Sequence, residues 1–364
     1  MELRPVIAHL LQRNILFTAF TGGAGVEIWI SRPAELEQVP WQVLDRCRDV
    51  FIVCPFRTAP TCSVLNPFLK IHSGSEDKDL QRIDEAVPFS PRSQQPPVSW
   101  QRTDHENAIG SIQASIAAGA TKKVVLSRTL PISIDDHVLL DLFFSAVEEQ
   151  NGTFVCLLNS AEYGIWLGAS PETLVQADKE QVCVDSIAGT MKLESAPDDA
   201  AEWGQKERDE QEFVTRGIID TFKKLGADGI EVQGPFVLRT PYSAHLYSRL
   251  GVERKRSSLS KMVQRLHPTP AVCGTPKDMA ADLIARLEPH DRSLYAGFWG
   301  PWQVEGSTHL WVNIRCMRYI GTQAYLFVGG GITAESETAL EWEETEQKAE
   351  AWLRPLRALQ PRIS

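Results

Sequence analysis

One stretch near the C-terminus constrains the chain most: Tyr325-Leu-Phe-Val-Gly-Gly-Gly-Ile-Thr-Ala-Glu-Ser-Glu-Thr-Ala-Leu-Glu-Trp-Glu-Glu-Thr-Glu-Gln-Lys348. Its first four residues are apolar or aromatic and predict a buried strand. Gly329, Gly330 and Gly331 then break the pattern and, having no Cβ, let backbone N–H groups converge on an anion. Ser336 or Thr338 is placed to cap a helix that runs to about Leu353. On that helix Glu341 and Glu344 stand three apart and Lys348 follows Glu344 by four, so the three share a face. A strand, an anion cradle and paired carboxylates so close together suit one wall of a site that holds an acidic ligand through a metal.

The 364 residues leave room for one large domain or two ordinary ones, and 43% hydrophobic residues suffice for a sizeable core. A formal net charge of −10 argues against nucleic-acid binding, which needs a basic surface. It also means that an anionic ligand must be met by individual Arg and Lys residues or by a metal. The seven cysteines are scattered, with no CxxC pair, which predicts buried free thiols in a reducing compartment. The N-terminus shows no signal-peptide pattern, and no apolar run approaches the roughly 20 residues that cross a bilayer. The expectation is a soluble cytoplasmic protein that does not enter a membrane.

Strand-like pieces open the chain at 15–20, 26–30 and 50–54, and Thr21-Gly-Gly-Ala-Gly25 between the first two predicts a hairpin. Four prolines between Val87 and Pro97 mark a connector, which divides the chain into residues 1–95 and 96–364. Beyond it, helices are expected over 104–118, 139–150, 200–224, 257–265 and 277–287. Strands are expected at 123–128, 153–158, 164–168, 182–187, 236–239, 294–302, 310–319 and 324–328. Strands and helices do not alternate regularly, so the expected class is α+β, with layers of mostly antiparallel sheet and helices packed outside.

Several residues invite a chemical reading beside a bland one. Glu207 and Glu210 repeat the three-residue spacing on a second helix; two such helices could meet around one Mg2+ ion, or be two solvated faces. Lys123 opens an apolar strand and can lose enough solvation to act as a base, or can end an edge strand and reach water. Glu172 follows Pro171 on a rigid turn and suits a general acid, unless the turn exists for its geometry alone. Arg315, within an otherwise mainly apolar strand, wants a bidentate oxyanion partner. His245 and His267 have no metal-ligand spacing.

Taken together, these segments resemble the chorismate-utilising enzymes, and among them the isochorismate synthases. The matching pieces, in the family's order over about residues 100–355, are Lys123-Val-Val-Leu-Ser-Arg128, Gly168-Ala-Ser-Pro-Glu172, Ala188-Gly-Thr190, Leu266-His-Pro-Thr-Pro-Ala271, Arg292-Ser-Leu-Tyr-Ala-Gly297, Ile314-Arg315 and the C-terminal glycines with their acidic helix. The first 95 residues, where the family varies, carry no matching motif. The resemblance implies a single large α+β domain with a deep site, Mg2+ as cofactor and chorismate as substrate. It implies Lys123 as the base that activates water for attack at C2, and Glu172 as the acid for the departing C4 hydroxyl. Glu210 and Glu344 are implied as direct metal ligands, with Glu207 and Glu341 nearby through water. Tyr295, Arg315, Lys348 and the backbone of Gly329, Gly330 and Gly331 are implied as substrate contacts, as are Gly189, Thr190 and His245.

Lys123 favours water over ammonia as nucleophile, and no amidotransferase subunit is implied. Ala188 stands where aminodeoxychorismate synthases carry a lysine. The chain departs from the family in having Gln211 where His is frequent and Thr190 where Ser is more typical. The alternatives are a salicylate synthase, which goes on to eliminate pyruvate, and an inactive chorismate-binding protein. The product would serve menaquinone or siderophore synthesis.

Overall fold

Side-chain alternation organises the molecule from its first hairpin. Along Gly25–Ser31, Ile28 and Ile30 enter one apolar cluster while Trp29 between them enters another, as the two-residue period of a strand buried on both faces requires. In this computed structural model, which describes residues 2–23, 25–57, 59–75, 77–149, 152–239, 244–254 and 258–359, the rule builds two sheets. Each has nine strands among the described residues, all paired antiparallel.

The first sheet runs, neighbour to neighbour, Gly274–Thr275, Lys123–Ser133, Gln323–Ile332, Cys316–Ile320, Gly164–Ser170, Phe154–Ser160, Phe17–Gly22, Gly25–Ser31 and Pro67–His72. The second runs Glu231–Arg239, Ala244–Glu253, Gln181–Met191, Thr173–Ala177, Thr308–Val312, Phe298–Trp302, Val50–Cys54, Thr61–Leu65 and Glu37–Pro40. The sheets pack face to face through aromatic rings. Phe154 of the first stacks on Trp311 of the second at 3.8 Å, and Phe20 lies 5.1 Å from Phe51. The outer face of the first sheet is covered by the helices Leu3–Gln12, Asp136–Glu149 and Thr338–Leu359 through residues such as Leu10, Phe143 and Trp352.

This is the expected α+β class, with corrections in detail. Strands from before the proline-rich connector pair with strands after it: Phe17–Gly22 with Phe154–Ser160, and Val50–Cys54 with Phe298–Trp302. The predicted strand over 294–302 starts only at Phe298, because Tyr295 lies on a turn in which Ala296 has φ 58°. The expected single strand over 310–319 is two strands in different sheets. The acidic helix expected from 200 starts at Gln205, after a short 3-10 turn, and the C-terminal helix runs on to Leu359. Ser257 and Gln150 lie outside the described residues; the corresponding helices are Leu259–Leu266 and Asp136–Glu149. The Phe17–Gly22/Gly25–Ser31 hairpin forms as expected, with Gly22 opposite Gly25.

Two of the places where the chain passes between the sheets lie side by side. Pro171-Glu172 links Gly164–Ser170 of the first sheet to Thr173–Ala177 of the second. Asn313-Ile314-Arg315 returns from Thr308–Val312 to Cys316–Ile320. The crossings are joined by Val312 N donating to Glu172 O at 3.0 Å and Ala169 N donating to Arg315 O at 3.1 Å. Arg315 therefore sits at a left-handed backbone position, φ 47°, and not within a strand. Among the described residues no helix is long and apolar enough to cross a membrane. The cysteines are all free; five are buried, and Cys47 and Cys183 are partly so.

A buried ion pair anchors the floor under Lys123. Arg292 donates to both carboxylate oxygens of Glu288, at 2.8 and 2.6 Å, and to the carbonyls of Val272 and Val125. Glu288 also accepts from Ser127 N at 2.7 Å. Removing one partner leaves a charge buried and uncompensated. Glu288→Ala is therefore expected to lower unfolding free energy by about 3–5 kcal/mol in urea denaturation, and Glu288→Met with Arg292→Met to recover part of that loss.

Candidate active site

The two crossings open into a cleft between the sheets, about 810 Å3 when the part open to solvent is included. Its wall includes Glu172, Thr190, Glu210, His245, Tyr295, Arg315, Gly329, Gly331 and Lys348, with Val125, Ala188, Ile314 and Phe327 as apolar lining. These come from distant parts of the chain.

Lys123 is 1% exposed, and its Nζ donates to Glu210 Oε1 at 2.8 Å. The sequence reading placed this amine among apolar neighbours alone; the structure gives it a carboxylate from the helix Gln205–Lys224. Burial pushes the Glu210 carboxyl up, but Lys123, with Lys348 and Lys206 behind it, outweighs this and leaves it below the usual range. The helix is registered by Gln211, whose Nε2 donates to Ser186 O at 2.9 Å and reaches Ser248 Oγ at 3.2 Å. The residue that departs from the family's frequent His thus ties Glu210's helix to the second sheet.

Glu172 is 4% exposed. Burial, reinforced by the neighbouring Asp185 carboxylate, pushes its pKa up to about 8, and Lys123 and Lys348 pull it back only in part. Asp185 is itself held by the Tyr247 hydroxyl, which donates to it at 3.1 Å. Sequence reasoning missed Asp185; its one signal is an acidic residue inside an apolar strand, Val182-Cys-Val-Asp-Ser-Ile187.

Across the cleft, Arg315 Nη2 lies 3.3 Å from His245 Nε2, and His245 Nδ1 lies 3.1 Å from Thr190 Oγ1. Arg315 can only donate, so Nε2 accepts and Nδ1 carries the proton. Burial, then Arg315 and Lys348, hold this imidazole well below the usual histidine pKa. Tyr295 stacks on Phe327 with ring centroids 5.3 Å apart. His267 is structural, its Nε2 3.0 Å from Pro55 O.

The three glycines do not break the strand as expected. Gln323–Ile332 continues through them, pairing Gly329, Gly330 and Gly331 with Ser127, Leu126 and Val125. They serve instead as spacers. A Cβ at Gly331 would lie 2.6 Å from Lys123 Cε and 2.8 Å from Glu210 Oε1, and one at Gly329 would lie 2.7 Å from the Tyr295 hydroxyl. At Gly330 it would lie 3.0 Å from Glu341 Oε2 and 3.7 Å from Glu344 Oε1.

The C-terminal helix is laid along this strand by its own contacts. Lys348 Nζ bridges Gly329 O and Glu344 Oε1, both at 2.7 Å, and Trp352 Nε1 donates to Arg315 O at 2.9 Å. Ser336 does not cap the helix; its Oγ donates to Glu341 Oε1 at 2.6 Å. Glu341 is 2% exposed, and its Oε2 has no hydrogen-bond partner. Burial and the adjacent Glu344 both raise its pKa.

Two predicted site residues stand apart. The Glu207 carboxylate folds back over Gly204 at the start of its own helix, where a Cβ would meet Glu207 Oε2 at 2.4 Å. Gly189, φ 64°, forms a bulge against the Glu207 backbone, and its neighbour Thr190 faces the cleft. Among the described residues no three His, Cys, Asp or Glu side chains are gathered so that together they could hold a metal ion. Glu341 and Glu344 nevertheless fit a hard cation: their donors are carboxylate oxygens, like charges lie together, and one buried oxygen lacks a partner.

With this geometry in place, comparison gives the family. Residues 68–354 match the chorismate binding enzymes, and the chain belongs to that family. It is 31% identical over 266 residues to isochorismate synthase EntC of Escherichia coli strain K12, covering 70% of this chain and 67% of that protein. It is 33% identical over 264 residues to a putative isochorismate synthase MenF of Mycobacterium tuberculosis, covering 67% and 71%. The solved structure of the menaquinone-specific isochorismate synthase MenF from Escherichia coli superposes with a TM-score of 0.75 at 21% identity, over 95% of this chain and 90% of that one.

Glu172 is expected to stay protonated through neutral pH and to ionise with a midpoint near pH 8. The check is the infrared band of a protonated carboxyl that disappears in Glu172→Gln. Because Asp185 disfavours the charged form, Asp185→Asn is expected to move the midpoint down.

Proposed function

We propose that the chain is an isochorismate synthase, an isomerase that adds water at C2 of chorismate and expels the C4 hydroxyl. The observation that carries this reading is the pairing of groups at one cleft: a buried lysine amine bonded to Glu210 of its wall, and the buried wall carboxyl of Glu172 with a pKa near 8. Water attack needs a base and hydroxide departure needs an acid, and Lys123 and Glu172, held in different environments, are the groups placed to supply them.

In this reading Lys123, once its ammonium has given up a proton, accepts one from the attacking water, while Glu172 delivers its proton to the departing C4 oxygen. One water adds and one leaves, so the product is an isomer of the substrate. Arg315, oriented by His245 and Thr190, holds one carboxylate of the dianionic substrate with Tyr295 and the strand at Gly329–Gly331. The apolar lining of Val125, Ile314 and Phe327 limits bulk water.

Glu210, Glu344 and Glu341 would hold Mg2+, and Glu207 would reach it through water. When bound, the ion offsets the charge of the ring carboxylate. Residues 1–95 supply the remote strands of both sheets, and residues 96–364 all the groups named here. The free thiols support a reducing, cytoplasmic setting.

The test is chorismate turnover by the purified protein with Mg2+. Lys123→Ala and Glu172→Gln are each expected to lower kcat by about 100-fold to 10,000-fold, Glu172→Gln with unchanged thermal unfolding and Lys123→Ala with a lowered melting temperature because it leaves Glu210 without its partner, and isochorismate is expected to form without pyruvate. Near-full turnover by both variants would remove the base and acid assignments; pyruvate released with salicylate would identify a salicylate synthase.

A further inference from the structure

Lys206 lies on the first turn of the helix Gln205–Lys224, and its Nζ is 3.4 Å from Glu341 Oε1 on the C-terminal helix. It is the residue by which one acidic helix reaches the other. Burial works against its ammonium, but Glu341, Glu344 and Glu210 outweigh this and hold its pKa above the usual lysine value. One side chain thus serves carboxylates of both helices, as a cation between them does. Glu341 Oε2 beside it remains buried and without a hydrogen-bond partner, aimed at Gly330.

We propose that Lys206 is a resident counter-ion: it joins the two acidic helices when no metal is bound, and swings out to solvent when a divalent cation takes Glu341 and Glu344. This rests on the metal reading given above. Three lysines face the carboxylates, and only one is built to leave. Lys123 is 1% exposed and bonded to Glu210. Lys348 is fixed by Glu344 and by the Gly329 carbonyl. Lys206 is 40% exposed and holds Glu341 through a single long contact, on a flexible stem whose rotation returns the ammonium to water. Without a cation beside it, the buried Glu341 would add a second negative charge next to Glu344; a cation locked onto Glu341 would keep a metal ion from it.

The test uses the full chain with Mg2+ alone as probe. Amine acetylation, followed residue by residue with mass spectrometry, is expected to modify Lys206 several-fold faster in saturating Mg2+ than in chelator. The exposed Lys122 is the unchanged control. Calorimetric titration of Lys206→Met is expected to show Mg2+ binding about fivefold tighter than wild type, the change that corresponds to losing one half-exposed ion pair. The metal-free variant should also melt at a lower temperature. Lys206 reactivity that Mg2+ leaves unchanged or lowers, or a variant that binds Mg2+ no more tightly, would overturn the proposal. Absence of any Mg2+ binding by the wild-type protein would instead overturn the metal reading, and this inference with it.

Discussion

A lysine ammonium that is 1% exposed costs several kcal/mol unless a charge meets it, and the partner of Lys123 comes from the other half of the molecule. Lys123 opens a strand of the first sheet; Glu210 rides on a helix registered to the second by Gln211. Their 2.8 Å contact therefore fixes how the two halves approach at the cleft. It also dictates the residue facing it. A Cβ at position 331 would stand 2.6 Å from Lys123 Cε, so the strand must carry glycine there whatever its part in binding.

The second constraint is topological. A residue inside a strand points either into a sheet's core or away from it, whereas a residue between strands of two sheets can point into the gap between them. Glu172 and Arg315 are both of the second kind, and the backbone bonds joining their crossings fix one relative to the other. The cleft is thus a product of chain switching between sheets. The first-sheet strands that flank it are braced from below by Arg292 and Glu288, which join the carbonyls of Val125 and Val272 to the amide of Ser127.

This explains which features were legible in the sequence. Strand alternation and helix spacing are local, so the class, most elements and the shared face of Glu344 and Lys348 could be read directly. Gly329, Gly330 and Gly331 read as a break because three glycines weaken any strand preference. Ten pairings with Lys123–Ser133 override that preference, and the reason for the glycines lies in side chains from 123, 210, 295 and 341, which no local window contains. Arg315 read as part of a strand because the residues on both sides are strands; that they belong to different sheets is not a local property. Lys206 and Asp185 went unnoticed for the same reason, since each matters only through a partner more than ten residues away. Glu207 shows how little spacing says of a side chain's direction: it shares a helix face with Glu210, and its carboxylate turns back to Gly204.

Charge in the cleft runs against charge in the whole molecule. The chain has a net charge of −10, yet at the cleft Lys123, Lys206 and Lys348 are paired with Glu210, Glu341 and Glu344, Arg315 stands on His245, and the burial of Glu172 keeps it neutral below about pH 8. Four cations less three carboxylates leave these groups at +1. A dianion bound there brings the sum to −1, in surroundings where uncompensated charge is costly. A divalent cation brings it back to +1, as in the empty cleft. The arithmetic favours dianion and cation arriving as a unit over either alone, and it needs an ammonium that can leave the carboxylates it balances. Of the three lysines, Lys206 is the most exposed and the one held to its carboxylate by a single long contact, whereas Lys348 is tied by two bonds of 2.7 Å.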